Sequence, residues 1–324
     1  MAEIVAQDVA LAKAAALLAA GDLVAVPTET VYGLAADATS GEAVARIFEV
    51  KRRPRFNPLI AHAGDLAMAR SYAVFTPLAR KLAEAFWPGP LTLVLPLADG
   101  AAIHPLVTAG LDTVAVRIPR SEFARALIGE VGRPLAAPSA NRSGRISATT
   151  AEDVEAELGD RIKLIVDGGP TPVGVESTIV KVDGDQIILL RPGGTPTDAL
   201  EELAGMKLVA PGGGIEAPGM MASHYAPEAA MRLDVAEVRP GEALLAFGPN
   251  RAAGADHAAA VRNLSPSGDL REAATALFSS LRELDRVGAS AIAVEPIPEH
   301  GLGEAINDRL RRAAAPRDSA PVND

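Results

Sequence analysis

The apolar positions of this chain repeat with two periods that alternate along its first two hundred residues. The opening stretch, "MAEIVAQDVALAKAAALLAAGD", carries them at helical spacing, and the run stops at Gly21. It reads as an ordinary helix, because Asp8, Lys13 and Asp22 interrupt it too often for a signal segment or a membrane span. "LVAVP" (23–27) follows as a short buried strand. Thr39 and Glu42 then have capping-box spacing ahead of the helix "GEAVARIFEV". "PLIAH" (58–62), "LTLVLP" (91–96), "TVAVRIP" (113–119) and "KLIVD" (163–167) are further strands. "STIVKVDGDQIILLRPG" reads as a hairpin turning at Asp183-Gly184. Such a mixture predicts an α/β domain with a mixed sheet.

Around residue 210 the pattern breaks. "PGGGI" (211–215) and "APGMMASHYAP" (217–227) are rich in helix and strand breakers, so residues 209–230 read as a linker. Beyond it "EALLAFG" (242–248) is a strand. "SGDLREAATALFSSLRELDRVG" is an amphipathic helix for which Ser267 is the expected cap. "ASAIAVEPIP" holds another strand and "LGEAINDRLRRAAA" a closing helix, a small β-α-β-α layer. The expected division is a first domain over 1–208, the linker over 209–230, a second domain over 231–316 and a disordered tail over 317–324.

Composition narrows the function classes. The 324 residues carry a net charge of −10, which argues against a general nucleic-acid coat. The chain has no cysteine, which removes disulfides, thiolate metal sites and cysteine nucleophiles together. A cytoplasmic location is expected on these grounds. No P-loop, HExxH or GxSxG motif occurs, and the five histidines form no i, i+4 pair.

Three loops hold the candidate chemistry. "KRRPRFNPLIAH" (51–62) places Lys51, Arg52, Arg53 and Arg55 within five residues, pinned by Pro54 and Pro58. Cations at a helix end complement its dipole and stay solvated; fixed beside a strand end in an acidic protein, they also suit a polyphosphate. "PTETVYGLAADA" (27–38) follows a strand directly and offers Thr28, Glu29, Thr30 and Tyr32 where ligands gather in α/β sheets. It equally suits a surface turn. "APSANRSGRISATTAEDV" (137–154) is dense in hydroxyls and ends in a second capping-box spacing, Thr149 with Glu152. Such a loop favours an anion at the helix start, or is simply a well-capped hydrophilic loop.

The order and wording of the segments go further. "PTETVYGL", "K-x-R-P…NPLI-x-H", "WPGPLTLVL", "VAVRIP", "PSAN-x-SG…S-x-T", "ESTIV" and "LRPG" run in sequence across 27–194, and this closely resembles the YrdC-type threonylcarbamoyl-AMP synthases. "PGM…HYAP" followed by a small α/β domain resembles the two-domain branch. The resemblance implies a twisted mixed-sheet catalytic domain with a basic groove, a smaller Rossmann-like α/β C-terminal domain, and a linker crossing the groove. It implies synthesis of threonylcarbamoyl-adenylate from L-threonine, bicarbonate and ATP with release of pyrophosphate, Mg2+ accompanying ATP. The product passes to a separate transferase complex acting on tRNAs that read codons beginning with A. No stable nucleic-acid binding and no membrane partner are expected.

Carried over motif by motif, L-threonine falls to Thr30, His62, Arg117, Ala137 and Ser177. ATP falls to Lys51, Arg53, Asn57, Thr113, Ser139, Asn141, Ser147, Arg191 and Tyr225, with Lys51 and Arg53 as the catalytic cations. Met220 and Met221 would pack over the groove. No residue is assigned to the metal, which ATP phosphates would hold. Two positions depart from the family: Arg52 stands where relatives carry a small residue, and Met221, Ala222 and Ser223 stand where they often carry basic ones. An RNA-binding module is disfavoured by the acidic charge and the 3% aromatic content. A carbamoyl-transfer domain of hydrogenase-maturation type is disfavoured by the missing cysteines.

Overall fold

The computed structural model describes residues 1–220 and 223–316, in two units. The first comprises Met1–Ser143 and Ser147–Met220; the second comprises Gly144–Ile146 and the described residues after Met220. Met221 and the 317–324 tail, both assigned from sequence, lie outside the described residues.

The first unit runs β1 (Glu3–Ala6), α1 (Gln7–Ala19), β2 (Val24–Val26), β3 (Gly33–Asp37), α2 (Gly41–Lys51), β4 (Ile60–His62), α3 (Leu66–Arg70), α4 (Pro77–Phe86), β5 (Leu91–Pro96) and α5 (Pro105–Thr108). It continues through β6 (Thr113–Arg117), α6 (Glu122–Val131), β7 (Leu135–Ala136), α7 (Ala151–Leu158), β8 (Leu164–Asp167), β9 (Thr178–Asp183), β10 (Gln186–Arg191) and α8 (Thr197–Ala204). The strands form one mixed sheet in the order β1-β8-β2-β3-β7-β4-β6-β5-β9-β10. The parallel pairs are β1–β8, β8–β2, β4–β6 and β5–β9.

Strand alternation sorts the side chains between two faces. Ala25, Ala61, Leu93, Val116, Ile165 and Val180 enter the main core with α2, α4 and α7. On the opposite face, Val24, Val26, Leu164 and Val166 pack against Ala10, Ala14 and Leu18 of α1 and Leu127 and Ile128 of α6. The β4-β6-β5-β9-β10 half of that face carries a smaller apolar cluster of Ile60, Val94, Ala115, Ile179 and Leu190, with Ala217 and Met220 against it. By the same alternation His62 falls on the face of Ile60, Arg117 and Thr113 on that of Ala115, and Ser177 on that of Ile179.

The segment that reads as a linker is bonded in its first half. Val209 pairs with Ile187 and Leu189 of β10, and Lys181 meets Glu216 at 2.5 Å. Further along, the His224 N–H donates to the Arg312 carbonyl of the second unit at 3.2 Å.

In the second unit, β11 (Ala230–Arg232), β12 (Ala243–Ala246), β13 (Val261–Asn263) and β14 (Ala291–Val294) form a fully parallel sheet ordered β11-β14-β12-β13. Helices α9 (Leu270–Asp285) and α10 (Leu302–Ala314) follow β13 and β14. Residues 144–146 join this unit: Ala226 N–H donates to the Gly144 carbonyl at 2.9 Å, and Arg282 donates to the Ile146 carbonyl at 2.5 Å.

Several local expectations need correction. Residues 3–6 form strand β1 beside β8, because Glu3–Ala6 find a parallel partner in Leu164–Asp167. "GLAAD", read as loop, is the buried strand β3. All three caps shift. The α2 cap is Ser40, since the Thr39 hydroxyl is bound to the Asp37 carboxylate at 2.7 Å. The α7 cap is Thr150, with Asp153 rather than Glu152 reaching back to the Thr149 N–H at 3.0 Å. The α9 cap is Asp269, whose carboxylate accepts from Arg271 and Glu272 N–H, a charge better placed for the helix dipole than Ser267. Strands β7, β11 and β13 span only two or three residues and leave too little alternation to read.

Candidate active site

Backbone bonds draw the three candidate loops together in the first unit. Ala140 N–H donates to the Tyr32 carbonyl at 2.7 Å, Leu34 N–H to Pro138 at 2.7 Å, and Tyr32 N–H to Ala148 at 2.9 Å. The loop after β8 joins them, with Val173 N–H on the Glu29 carbonyl at 2.9 Å. Tyr32 fastens the same loop through its hydroxyl, donating to Gly169 O at 2.8 Å and accepting from Gly168 N–H at 3.1 Å. Burial pushes that phenol up to about 12, so it stays protonated and structural.

The residues assigned to threonine cluster at strand ends. His62 and Arg117 are register partners on the parallel strands β4 and β6. Ala137 lies beside them, its N–H on the Ile60 carbonyl at 3.2 Å. Thr30 is buried, its hydroxyl 2.9 Å from that of Thr28. Ser177 is buried against Thr92, with 2.7 Å between the hydroxyls.

Arg117 holds a partner that sequence reading did not assign. Its Nη2 donates to Glu29 Oε1 at 2.7 Å and its Nε to the Gly89 carbonyl at 3.2 Å, and both side chains of the pair are about 95% buried. Sequence reading noted Glu29 only as the carboxylate of its loop. The signal was present: an arginine within "VAVRIP" must be met by an anion when that strand is buried. Burial raises the Glu29 carboxyl, and the Arg117 guanidinium more than offsets it, leaving the group below the ordinary glutamate value. The Arg117 Nη1 makes no hydrogen bond to a described residue.

His62 is buried, and its Nδ1 has no hydrogen-bond partner among the described residues. Burial, then the Arg117 charge, push its pKa down to about 3, so the folded protein holds a neutral imidazole. Beside it, Val26, Ala35, Leu135 and Ala137 wall a cavity of about 10 Å³ that Thr28 also lines. Thr28 and Glu29 further line an open cleft of about 480 Å³ with Gln7, Arg120, Ser121 and Gly169.

The neutral imidazole makes stability pH-dependent in a defined sense. Unfolded, the side chain takes a proton below pH 6.5; folded, it takes none until about pH 3. Stability from this source is therefore complete above pH 6.5 and falls as pH drops toward 3. Between pH 6.5 and 4.5 the loss is about 2–3 kcal/mol. Urea titrations of wild type and His62→Gln at pH 7 and pH 4.5 should show a smaller acid loss in the variant by that amount. Equal losses would mean that the imidazole is solvated when folded.

Of the residues assigned to the nucleotide, Lys51, Arg53, Asn57, Asn141, Ser147 and Arg191 are buried and internally bonded, whereas Ser139 is only half-buried. Arg53 donates to Asn57 Oδ1 at 2.6 Å and to the Pro58 carbonyl at 2.9 Å, which rigidifies the basic loop. Arg52 is exposed at the helix end with φ 51°, a left-handed position where a small residue is the easier choice. Lys51 reaches the Ser139 and Asn141 carbonyls. Ser147 donates to Glu176, a buried carboxylate that sequence reading left out. Arg191 donates to the Ser177 carbonyl at 2.8 Å and so lies beside the threonine-assigned serine. Thr113, half-buried, opens β6 at the end opposite Arg117. Tyr225 stacks on Phe278 of the second unit, with centroids 5.6 Å apart.

Comparison with known proteins bears on the family and the fold. The family model Sua5_yciO_yrdC, described as "Telomere recombination", matches residues 16–193. The model described as "Threonylcarbamoyl-AMP synthase, C-terminal domain" matches residues 196–315. A Bacillus subtilis (strain 168) protein named threonylcarbamoyl-AMP synthase is 41% identical, over 97% of this chain and 96% of its own length. A Pyrococcus abyssi (strain GE5 / Orsay) protein of the same name is also 41% identical, over 94% of both. The crystal structure of P. abyssi Sua5 complexed with L-threonine superposes with a TM-score of 0.87 at 38% identity, covering 96% of this chain and 97% of that one. With a mixed-sheet unit and a parallel-sheet unit each matched in turn, the chain belongs to the Sua5/YrdC family, in its two-domain Sua5 form.

Proposed function

We propose that this protein synthesises L-threonylcarbamoyl-AMP from L-threonine, bicarbonate and ATP, releasing pyrophosphate. The product then serves a separate transferase complex that modifies adenosine in tRNAs reading codons that begin with A. The observation that carries the reading is the Arg117 constellation: a buried guanidinium beside neutral His62 and Thr30, in a chain 38% identical over nearly its whole length to a protein solved with L-threonine.

The chemistry follows from charge. Threonine brings a carboxylate, its carbamate adds another, and ATP brings a triphosphate. Arg117 receives the amino-acid carboxylate through its Nη1. Arg53 and Arg191 face the phosphates with Mg2+, which enters with ATP. Among the described residues no group of three or more His, Asp or Glu could hold a metal ion, and the side chains here suit counter-charges rather than a cage. The carbamate forms first, the threonine amine nitrogen bonding to the bicarbonate carbon with loss of water; its oxygen then attacks the α-phosphorus, and the bond to the β-phosphate oxygen breaks as pyrophosphate leaves. Carbamate is nucleophilic by itself, so the protein positions and screens without a covalent intermediate.

The deciding assay is pyrophosphate release, which should require threonine and bicarbonate together. Release without either one would overturn the reading. Serine should serve about 10- to 100-fold less well in kcat/KM, because the small apolar cavity beside His62 is where the threonine methyl would pack, and one methyl group is worth about that much. Equal rates with serine would remove this cavity from the substrate site.

A further inference from the structure

Lys51 is the last residue of α2, and its side chain is 1% exposed. The amine donates to the Ser139 carbonyl at 2.5 Å and to the Asn141 carbonyl. In return the Lys51 carbonyl accepts the Ser143 N–H at 2.9 Å. Three bonds thus fasten the end of one helix to alternate residues of a single strip, 139–143. The strip bends at residues 140 and 141 and does not run extended, which brings the Ser139 and Asn141 carbonyls within reach of one amine. The strip has further anchors on its other side: an isolated bridge joins Ser139 to Gly33, and Ala140 N–H meets the Tyr32 carbonyl.

We propose that Lys51 is a positioning residue, which holds the Ser139–Ser143 strip in the shape that receives the nucleotide and does not itself touch the phosphates. The inference rests on the ATP-dependent reading above and replaces the catalytic role that family resemblance gave this side chain. A phosphate ligand must present its charge to the open site. This amine instead faces two carbonyls that would lose their partner if it turned away. Burial and the Arg53 charge also hold it well below the usual lysine range, which makes it a weak counter-charge. Ser139 and Asn141, whose carbonyls it holds, are both assigned to the nucleotide, so its effect on ATP is indirect.

The test is Lys51→Met, which keeps the bulk of the side chain and removes its donors. Two readouts separate a staple from a phosphate ligand. Backbone hydrogen exchange without ligand should speed up by about 10-fold or more at residues 139–143, against little change in β5 and β6. Titration with ATP, ADP and AMP should show losses of affinity by a common factor, with threonine affinity within about 2-fold of wild type. Lys51→Gln, which retains a donor, should fall between wild type and Lys51→Met in both readouts, and stands in if the methionine variant does not fold. Unchanged exchange at 139–143 would overturn the proposal. So would a loss that is absent with AMP and grows with each added phosphate. If wild type binds no ATP and the strip still loosens in the variant, the staple stands and the proposed function falls.

Discussion

Replacing Arg117 by alanine is expected to raise the threonine requirement for pyrophosphate release by about 100-fold or more, while the ATP requirement moves by about 3-fold or less. Arg117 ends β6 as the register partner of His62, and its guanidinium is the cation of the threonine-assigned cluster. A bidentate fork on a fixed strand cannot be replaced by a neighbour, because Arg53 and Arg191 are tied to Asn57 and Ser177. The substitution also strands Glu29, a buried carboxylate, and breaking a buried pair from one side costs about 3–5 kcal/mol. Activity and stability therefore fall together, and a second variant must separate them. Glu29→Gln combined with Arg117→Ala removes the stranded charge, so thermal stability should recover substantially while the threonine requirement stays high. If the double variant regains both, Arg117 acts on threonine only through the fold. If ATP and threonine requirements rise alike in the single variant, its role is general electrostatics.

The same pair predicts how the fold responds to acid. Glu29 is held below its ordinary value of 4.5, so its contribution is present above that pH and disappears as pH falls through the depressed folded value. The loss from His62 begins higher, at pH 6.5. Acid unfolding should thus begin with the histidine and end with the ion pair.

What was legible in the sequence, and what was not, divides along physical lines. Apolar runs rich in Val and Leu, such as "LTLVLP" and "TVAVR", were readable as strands buried on both faces, with Leu93 and Val116 on one and Val94 and Ala115 on the other. The hairpin is present with its turn one residue later than expected, at Gly184-Asp185, because Asp183 still pairs with Gln186; Gly184 has φ 57°. Strand β3 was hidden because "GLAAD" is equally buried but has no β-branched or aromatic residue to mark it as a strand. The caps were displaced by one or two residues because neighbouring side-chain oxygens compete: Thr39 with Ser40, Thr149 with Thr150, and the Ser267 hydroxyl with the Asp269 carboxylate. Spacing alone does not say which oxygen faces the helix.

The candidate site was legible as a set of loops and not as a set of partners. "PTETVYGL" and "PSANRSG" are far apart in the chain, and it is the sheet order β3-β7-β4-β6 that lays them side by side. Ion pairing across 88 residues, Glu29 with Arg117, leaves no local trace. Glu176 was passed over for the same reason, since its Ser147 partner lies 29 residues away. Lys51 shows the opposite failure. Its place in a run of cations suggested a solvated or phosphate-facing charge, whereas the fold turns it inward onto two carbonyls.

In the second unit, Tyr225→Ala is expected to weaken the packing of α9 and α10 by about 3–5 kcal/mol, the usual cost of truncating a buried aromatic side chain. Tyr225 is 1% exposed. Its ring stacks on Phe278 of α9 at 5.6 Å and lies 5.2 Å from the guanidinium of the fully buried Arg309 of α10, with His224 at 4.0 Å on the same ring. One aromatic therefore joins both helices to the entering chain, and a cation over its face adds to the packing. The backbone supports this view. Tyr225 has φ 62°, a left-handed position that costs a non-glycine residue about 1–2 kcal/mol, so the ring contacts must more than offset it. Two companion variants separate ring from backbone. Tyr225→Phe keeps the ring and should change stability by less than about 1 kcal/mol. Tyr225→Gly relieves the backbone but loses the ring, so it should be destabilising by about 1 kcal/mol less than alanine. Hydrogen exchange at α9 and α10, compared with β5 and β6 in the first unit, is the measurement. Protection of α9 and α10 that is unchanged in the alanine variant would mean that Phe278 and Arg309 hold this unit together without the ring, and that the left-handed backbone at 225 has another cause.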